Sequence, residues 1–149
     1  MKISELMNSP PVVVASGTSA REAAVRMDVN GVGAVLVADD GALRGIVTDR
    51  DLAVRVIAHG RDPERTAVRE VMSAPVTTLD VNEGIDAAYR RFRRAAIRRL
   101  PVLDGSRLVG VLSLDDVLMD LFQRMADLLG PVAWSVLREP PAGVGCGYD

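Results

Sequence analysis

The sequence predicts an α/β fold, in detail an α+β arrangement of two consecutive β-α-β-β-α units, and three observations predict it. The chain matches itself at a constant offset of 65 residues without a gap. Each copy alternates short apolar runs with a stripe of helical period. In each copy an Asp-Gly break divides a pair of apolar runs at the same place, the mark of a β-hairpin.

The repeat is carried by identities along its whole length. Glu5, Met7 and Pro10 fall on Glu70, Met72 and Pro75, and Ala23 and Arg26 fall on Ala88 and Arg91. Val37, Asp39, Leu43, Gly45 and Asp51 fall on Val102, Asp104, Leu108, Gly110 and Asp116. The expected organisation is a first copy over 1–58, a connector over 59–69, a second copy over 70–129 and a tail over 130–149.

Each copy opens with an extended stretch after a proline, Val12 to Val14 and Val76 to Leu79. A helix follows. Ser19 and Glu22 have capping-box spacing, so the first helix runs from about Ala20 to Val29. In the second, Ile85, Ala88, Phe92 and Ala96 form one apolar stripe, and Arg90, Arg91, Arg93 and Arg94 cover the wet side. The hairpins pair Ala34 to Ala38 with Leu43 to Val47, and Leu100 to Leu103 with Leu108 to Leu112. Closing helices run from about Asp49 to Ala58 and from about Leu114 to Leu129, the longer one stopping at Gly130 and Pro131. The connector holds Gly60, Pro63 and several charges with no apolar period.

Composition excludes several classes. Of 149 residues 48% are hydrophobic and 26% charged, a globular balance. A net charge of −2 and 3% aromatics argue against nucleic acid, which needs a basic field and stacking platforms. No apolar run is long enough to cross a membrane, and the start of the chain lacks the pattern of a signal peptide, so a cytoplasmic protein is expected. One cysteine, Cys146, and one histidine, His59, leave no metal-ligand cluster and no nucleophile with its base. His59 suits the end of a helix, where a cation complements the dipole. The near-complete preference for arginine over lysine is read as the mark of a GC-rich bacterial genome.

Two segments carry the candidate chemistry, Gly45 to Asp51 (GIVTDRD) and Gly110 to Asp116 (GVLSLDD). With the Glu-x-Met lead-ins and the RRLPVLD stretch over Arg98 to Asp104, they resemble the tandem cystathionine-β-synthase-type (CBS) pair known as a Bateman module. The resemblance covers roughly residues 3 to 125 and points to a stand-alone bacterial CBS-domain protein. It implies two copies packed about a pseudo-twofold axis, two clefts between them, and a homodimer formed through the closing helices. It implies a non-catalytic regulatory or sensor module that binds an adenosine-containing nucleotide, with AMP, ADP, ATP, NAD and S-adenosylmethionine as candidates.

By the same resemblance Asp51 and Asp116 bind ribose, a role suited to a carboxylate that accepts from two vicinal hydroxyls. Thr48 and Ser113, at helix starts, together with Arg98 and Arg99, meet phosphate. Val76, Thr77, Ile97 and Leu112 form the adenine pocket. Because the first copy has Gly33 and Ala34 where the second has Arg98 and Arg99, one productive cleft is expected, framed by Asp116, Ser113 and the arginine pair. The alternatives stay open. Thr48-to-Asp51 and Ser113-to-Asp116 spacing also serves plain helix capping, the apolar residues also serve as core, and the chain as a whole also reads as a ligand-free scaffold for another protein.

Overall fold

The computed structural model describes residues 2–138, with side-chain surroundings through Val132. The expected tail, apart from its first nine residues, and Cys146 lie outside the described residues. The first copy contains α1 (Ile3–Leu6), β1 (Val13–Val14), α2 (Ala20–Asn30), β2 (Ala34–Asp39), β3 (Ala42–Thr48) and α3 (Asp49–Leu52). The second contains β4 (Leu79–Asp80), α4 (Ile85–Ala95), β5 (Arg99–Asp104), β6 (Arg107–Ser113) and α5 (Leu114–Arg138). Each copy forms a three-stranded sheet, ordered β1-β2-β3 and β4-β5-β6. The first pair of each sheet is parallel and the second an antiparallel hairpin.

The 65-residue offset holds down to pairing. Val14 pairs with Val37 and Leu79 with Val102, and both hairpins shift register one residue later. Ser19 caps α2 by accepting from the amide of Glu22 at 3.1 Å. Gly31 ends that helix at φ 62°, and Ala96, its counterpart after α4, adopts φ 50° without a glycine's freedom. On α4, Arg91 turns back to grip Glu83 at 2.8 and 2.9 Å, and Arg90, Arg93 and Arg94 stay exposed.

Three boundaries differ from the sequence expectation. The opening strands shrink to two residues each, because only Val13–Val14 and Leu79–Asp80 find a parallel neighbour. The first closing helix is a single α turn that widens into a π turn over Ala53–Ile57. That turn buries Val56 and lets Arg55 donate to the carbonyl of Val71 at 2.7 Å. The ring of His59 bonds the carbonyl of Val54 at 2.6 Å, closing this end. Finally, α5 does not stop at Gly130 and Pro131 but continues to Arg138. Proline forfeits one amide, yet its fixed φ is itself helical, so an already propagating helix can carry it at a cost.

Packing crosses between the copies. Ile3, in the lead-in of the first copy, is buried with Leu79, Leu100 and Leu112 of the second. Its counterpart Val68 is buried with Val14, Val35 and Val47 of the first. The expected connector therefore ends inside a core: Thr66 is 4% exposed, and its carbonyl accepts from the amide of Ala20. The lead-ins also pair reciprocally. Asn8 bridges to Val111 on β6, and Ser73 bridges to Ile46 on β3. Each lead-in crosses the opposite hairpin over a glycine. A Cβ at Gly45 would sit 2.5 Å from Met72 Sδ and 2.9 Å from the carbonyl of Ser73; at Gly110 it would sit 2.7 Å from Met7 Sδ and 2.9 Å from the carbonyl of Asn8.

Two outcomes follow from these contacts. Gly45→Ala and Gly110→Ala each lose about 1–3 kcal/mol in urea unfolding, because backbone as well as sulfur must shift. Glu83 is held below its ordinary value of 4.5, first by the hydrogen bonds of Arg91 and then by the amide of Asp80. A carboxyl lowered on folding stabilises fully above that ordinary value, and the contribution vanishes as pH falls through the lower native value. In melting scans between pH 6 and pH 3, Glu83→Gln therefore shows a shallower loss of stability than the parent.

Candidate functional site

The two halves meet where β3 and β6 approach each other, and a cleft opens on either side of that junction. The first turn of the helix after each hairpin sits beside a cleft, held there by the loop before the preceding hairpin. The amide of Asp49 donates to the carbonyl of Gly33 at 3.0 Å, and the amide of Leu114 to that of Arg98 at 2.8 Å.

The larger cleft, about 480 Å³, is walled on one side by Thr48, Asp49, Arg50 and Asp51 of the first copy. Ser73, Ile97, Arg98 and Arg99 line the other side. The lining thus holds three arginines, Arg50, Arg98 and Arg99, and two aspartates, Asp49 and Asp51, an excess of one positive charge. Thr48 and Asp51 form a complete capping box: Thr48 Oγ1 accepts from the amide of Asp51 at 3.1 Å, and Asp51 Oδ2 accepts from the amide of Thr48 at 2.9 Å. Asp51 Oδ1 lies 3.7 Å from Arg55. A carboxylate has about four acceptor positions, so capping leaves room for further donors.

The smaller cleft, about 230 Å³, is more apolar, with Pro10, Pro11, Val12, Val32 and Val111 beside Asn8, Arg99 and Ser113. Ser113 Oγ caps its helix by accepting from the amide of Asp116 at 3.1 Å. Asp116 does not reach back as Asp51 does. Its Oδ2 accepts from Asn8 Nδ2 at 2.6 Å, and Asp116 does not line the cleft.

The arginine pair divides between the clefts rather than framing a single one. Arg98 faces Thr48 and Asp51 across the larger cleft and pairs with exposed Asp115 at 2.7 Å. Arg99 lines both clefts, next to Ser113 by strand register. Its guanidinium lies so close to Gly33 that a Cβ there would be 3.0 Å from Nη2. Asp49 Oδ2 would be as near, at 3.1 Å, so Arg99 and Asp49 both pack closely over the bare Gly33. Of the expected adenine residues, Ile97 lines the larger cleft, Val76 is half-buried and Thr77 exposed, and neither of the latter two lines a cleft. Leu112 is fully buried against Leu100 in the second core, which removes it from any surface. Sequence reading missed Asn8 and Ser73, which belong to the lead-ins and reach the clefts only through the exchange.

Among the described residues no group of three or more His, Cys, Asp or Glu side chains is placed to hold a metal ion, and no helix is long and apolar enough to cross a membrane.

Comparison with known proteins identifies the repeat. The model of the CBS domain family matches residues 3–57 and again 68–122. The CBS domain-containing protein YhcV of Bacillus subtilis is 36% identical over 115 residues, covering 77% of this chain and 81% of that protein. Several other curated relatives are longer, and the matched stretch spans 16% to 56% of their length. Among solved structures, Hypoxic Response Protein I with two coordinated zinc ions superposes with a TM-score of 0.74 at 28% identity, over 80% of this chain and 98% of that one. A CBS domain protein from Pyrobaculum aerophilum complexed with AMP gives a TM-score of 0.71 at 28% identity, over 78% and 89%.

Proposed function

This chain belongs to the CBS-domain family, and on that footing we propose that it is a non-catalytic sensor that binds an adenine nucleotide in the larger cleft. The observation that carries the reading is the composition of that cleft: a carboxylate and a capped helix start from one copy, two guanidinium groups from the other. Asp51 accepts the ribose hydroxyls, and Arg98 and Arg99 meet the phosphate. Ile97 offers apolar surface to the base. A volume of about 480 Å³ suits a mononucleotide. A solved relative complexed with AMP makes AMP the first ligand to test, ahead of ADP, ATP, NAD and S-adenosylmethionine. Because the ligand touches both copies, its binding favours whichever arrangement of the two it fits better, and that shift is the signal.

Calorimetric titration with AMP tests this. Asp51→Ala weakens binding roughly tenfold or more, the worth of a hydrogen bond to a charged group, while Asp116→Ala leaves it nearly unchanged. At about one hundred times the dissociation constant, AMP raises the melting temperature by roughly 5–10 °C. No shift with any of the five ligands replaces the sensor with a ligand-free interaction scaffold.

The exposed face of α5 supports self-association as the companion property. Val117 packs into the second core, but Leu121, Phe122, Met125, Leu128 and Leu129 are 44% to 73% exposed. A second copy covering this stripe would form a homodimer through the closing helices. Light scattering should give twice the chain mass for the parent and a monomer for a Leu121→Asp, Phe122→Asp double variant. A parent monomer at millimolar concentration would exclude the homodimer.

A further inference from the structure

We propose that Asn8 is a built-in occupant of the smaller cleft, holding Asp116 away from ligand so that each chain takes one adenine nucleotide rather than two. This rests on the nucleotide reading above and deepens it. The two aspartates occupy equivalent sequence positions, yet Asp51 lines its cleft and Asp116 does not. The difference is in the lead-in residue facing each one.

Asn8 is fixed by two backbone hydrogen bonds to Val111, at 2.9 and 3.0 Å, so its side chain starts from a set point. From there the carboxamide reaches Asp116 Oδ2 at 2.6 Å, the length of a strong bond to a charged acceptor. A ligand diol needing that oxygen must first displace the amide. In the other half, Ser73 has the same paired backbone, bonded to Ile46 at 3.1 and 2.9 Å. Its shorter side chain bonds Arg55 at 3.4 Å and makes no hydrogen bond to Asp51. Asparagine in one lead-in and serine in the other therefore separate a self-occupied cleft from an open one. Breaking a hydrogen bond to a carboxylate lowers affinity at the smaller cleft roughly ten- to a hundredfold. In the parent that cleft therefore stays largely empty at the AMP concentrations that fill the second site of a variant without the amide, and stoichiometry is read over that range.

Equilibrium dialysis against radiolabelled AMP reads the stoichiometry. Asn8→Ser copies the residue at position 73, so the backbone pairing with Val111 survives; Asn8→Ala serves as a second variant, and circular dichroism confirms that both fold. The expected saturation is one AMP per chain for the parent, two for either variant, and one again for Asn8→Ser combined with Asp116→Ala. The second site is the weaker, since Arg99 is shared between the clefts. Two AMP per parent chain, or a single site unchanged in both folded variants, overturns the proposal and leaves the nucleotide reading intact. No AMP bound by any of the proteins overturns both.

Discussion

The whole arrangement depends on the reciprocal crossing of two lead-in segments over two glycines. Each copy alone has a hairpin, two helices and a short parallel strand, too little to seal its own core. Ile3 and Val68 supply the missing apolar surface from the opposite copy. The crossing is possible because Gly45 and Gly110 carry no side chain where Met72 and Met7 lie. The same crossing places Asn8 and Ser73 at the clefts, so the contact that completes the cores also furnishes the candidate site.

Symmetry of backbone with asymmetry of side chains is the second organising fact. Positions 33 and 98 play the same structural part, each offering its carbonyl to the first amide of a closing helix. Their side chains differ: Gly33 has none, and the Arg99 guanidinium packs closely over it. Arg99 lines both clefts, and Arg50 and Arg98 add their charge to the larger one alone. The helix starts follow suit: Asp51 folds back on Thr48 in a closed capping box, and Asp116 is drawn off by Asn8. Capping and ligand binding are not competing readings of Thr48 and Asp51. A capped carboxylate is held rigid, and rigidity in the free state reduces what binding must spend on ordering it.

The closing helices diverge most. After Thr48 the chain makes one α turn and one π turn and then leaves for the other half, whereas after Ser113 it runs on as a single helix to Arg138. Beyond Val117 that helix leaves its own core behind, and Leu118, Leu121, Phe122, Met125, Leu129 and Val132 are exposed. That exposed stripe is the surface on which the proposed homodimer rests.

The sequence by itself determined the two copies, the hairpins and the helix order, because those rest on local periodicity, Asp-Gly turns and the Ser19 cap, all of which act over a few residues. It also marked Asp51, Thr48, Arg98 and Arg99 as candidates, and all four line the larger cleft. It placed the arginine pair together with Asp116, whereas Arg98 lines the cleft of Asp51 and Arg99 lines both, and it counted the fully buried Leu112 as pocket, because an offset of 65 residues says which positions are equivalent but not which copy each one faces. Gly130 and Pro131 read as a stop because local propensity is all a linear pattern contains. Only the tertiary structure decided that the lead-ins exchange, that Arg98 lines the cleft of Asp51 while pairing with Asp115, that Arg99 stands between the clefts and that Asn8 holds Asp116. Those are contacts between residues up to 108 positions apart in the chain, set by how two cores close on each other.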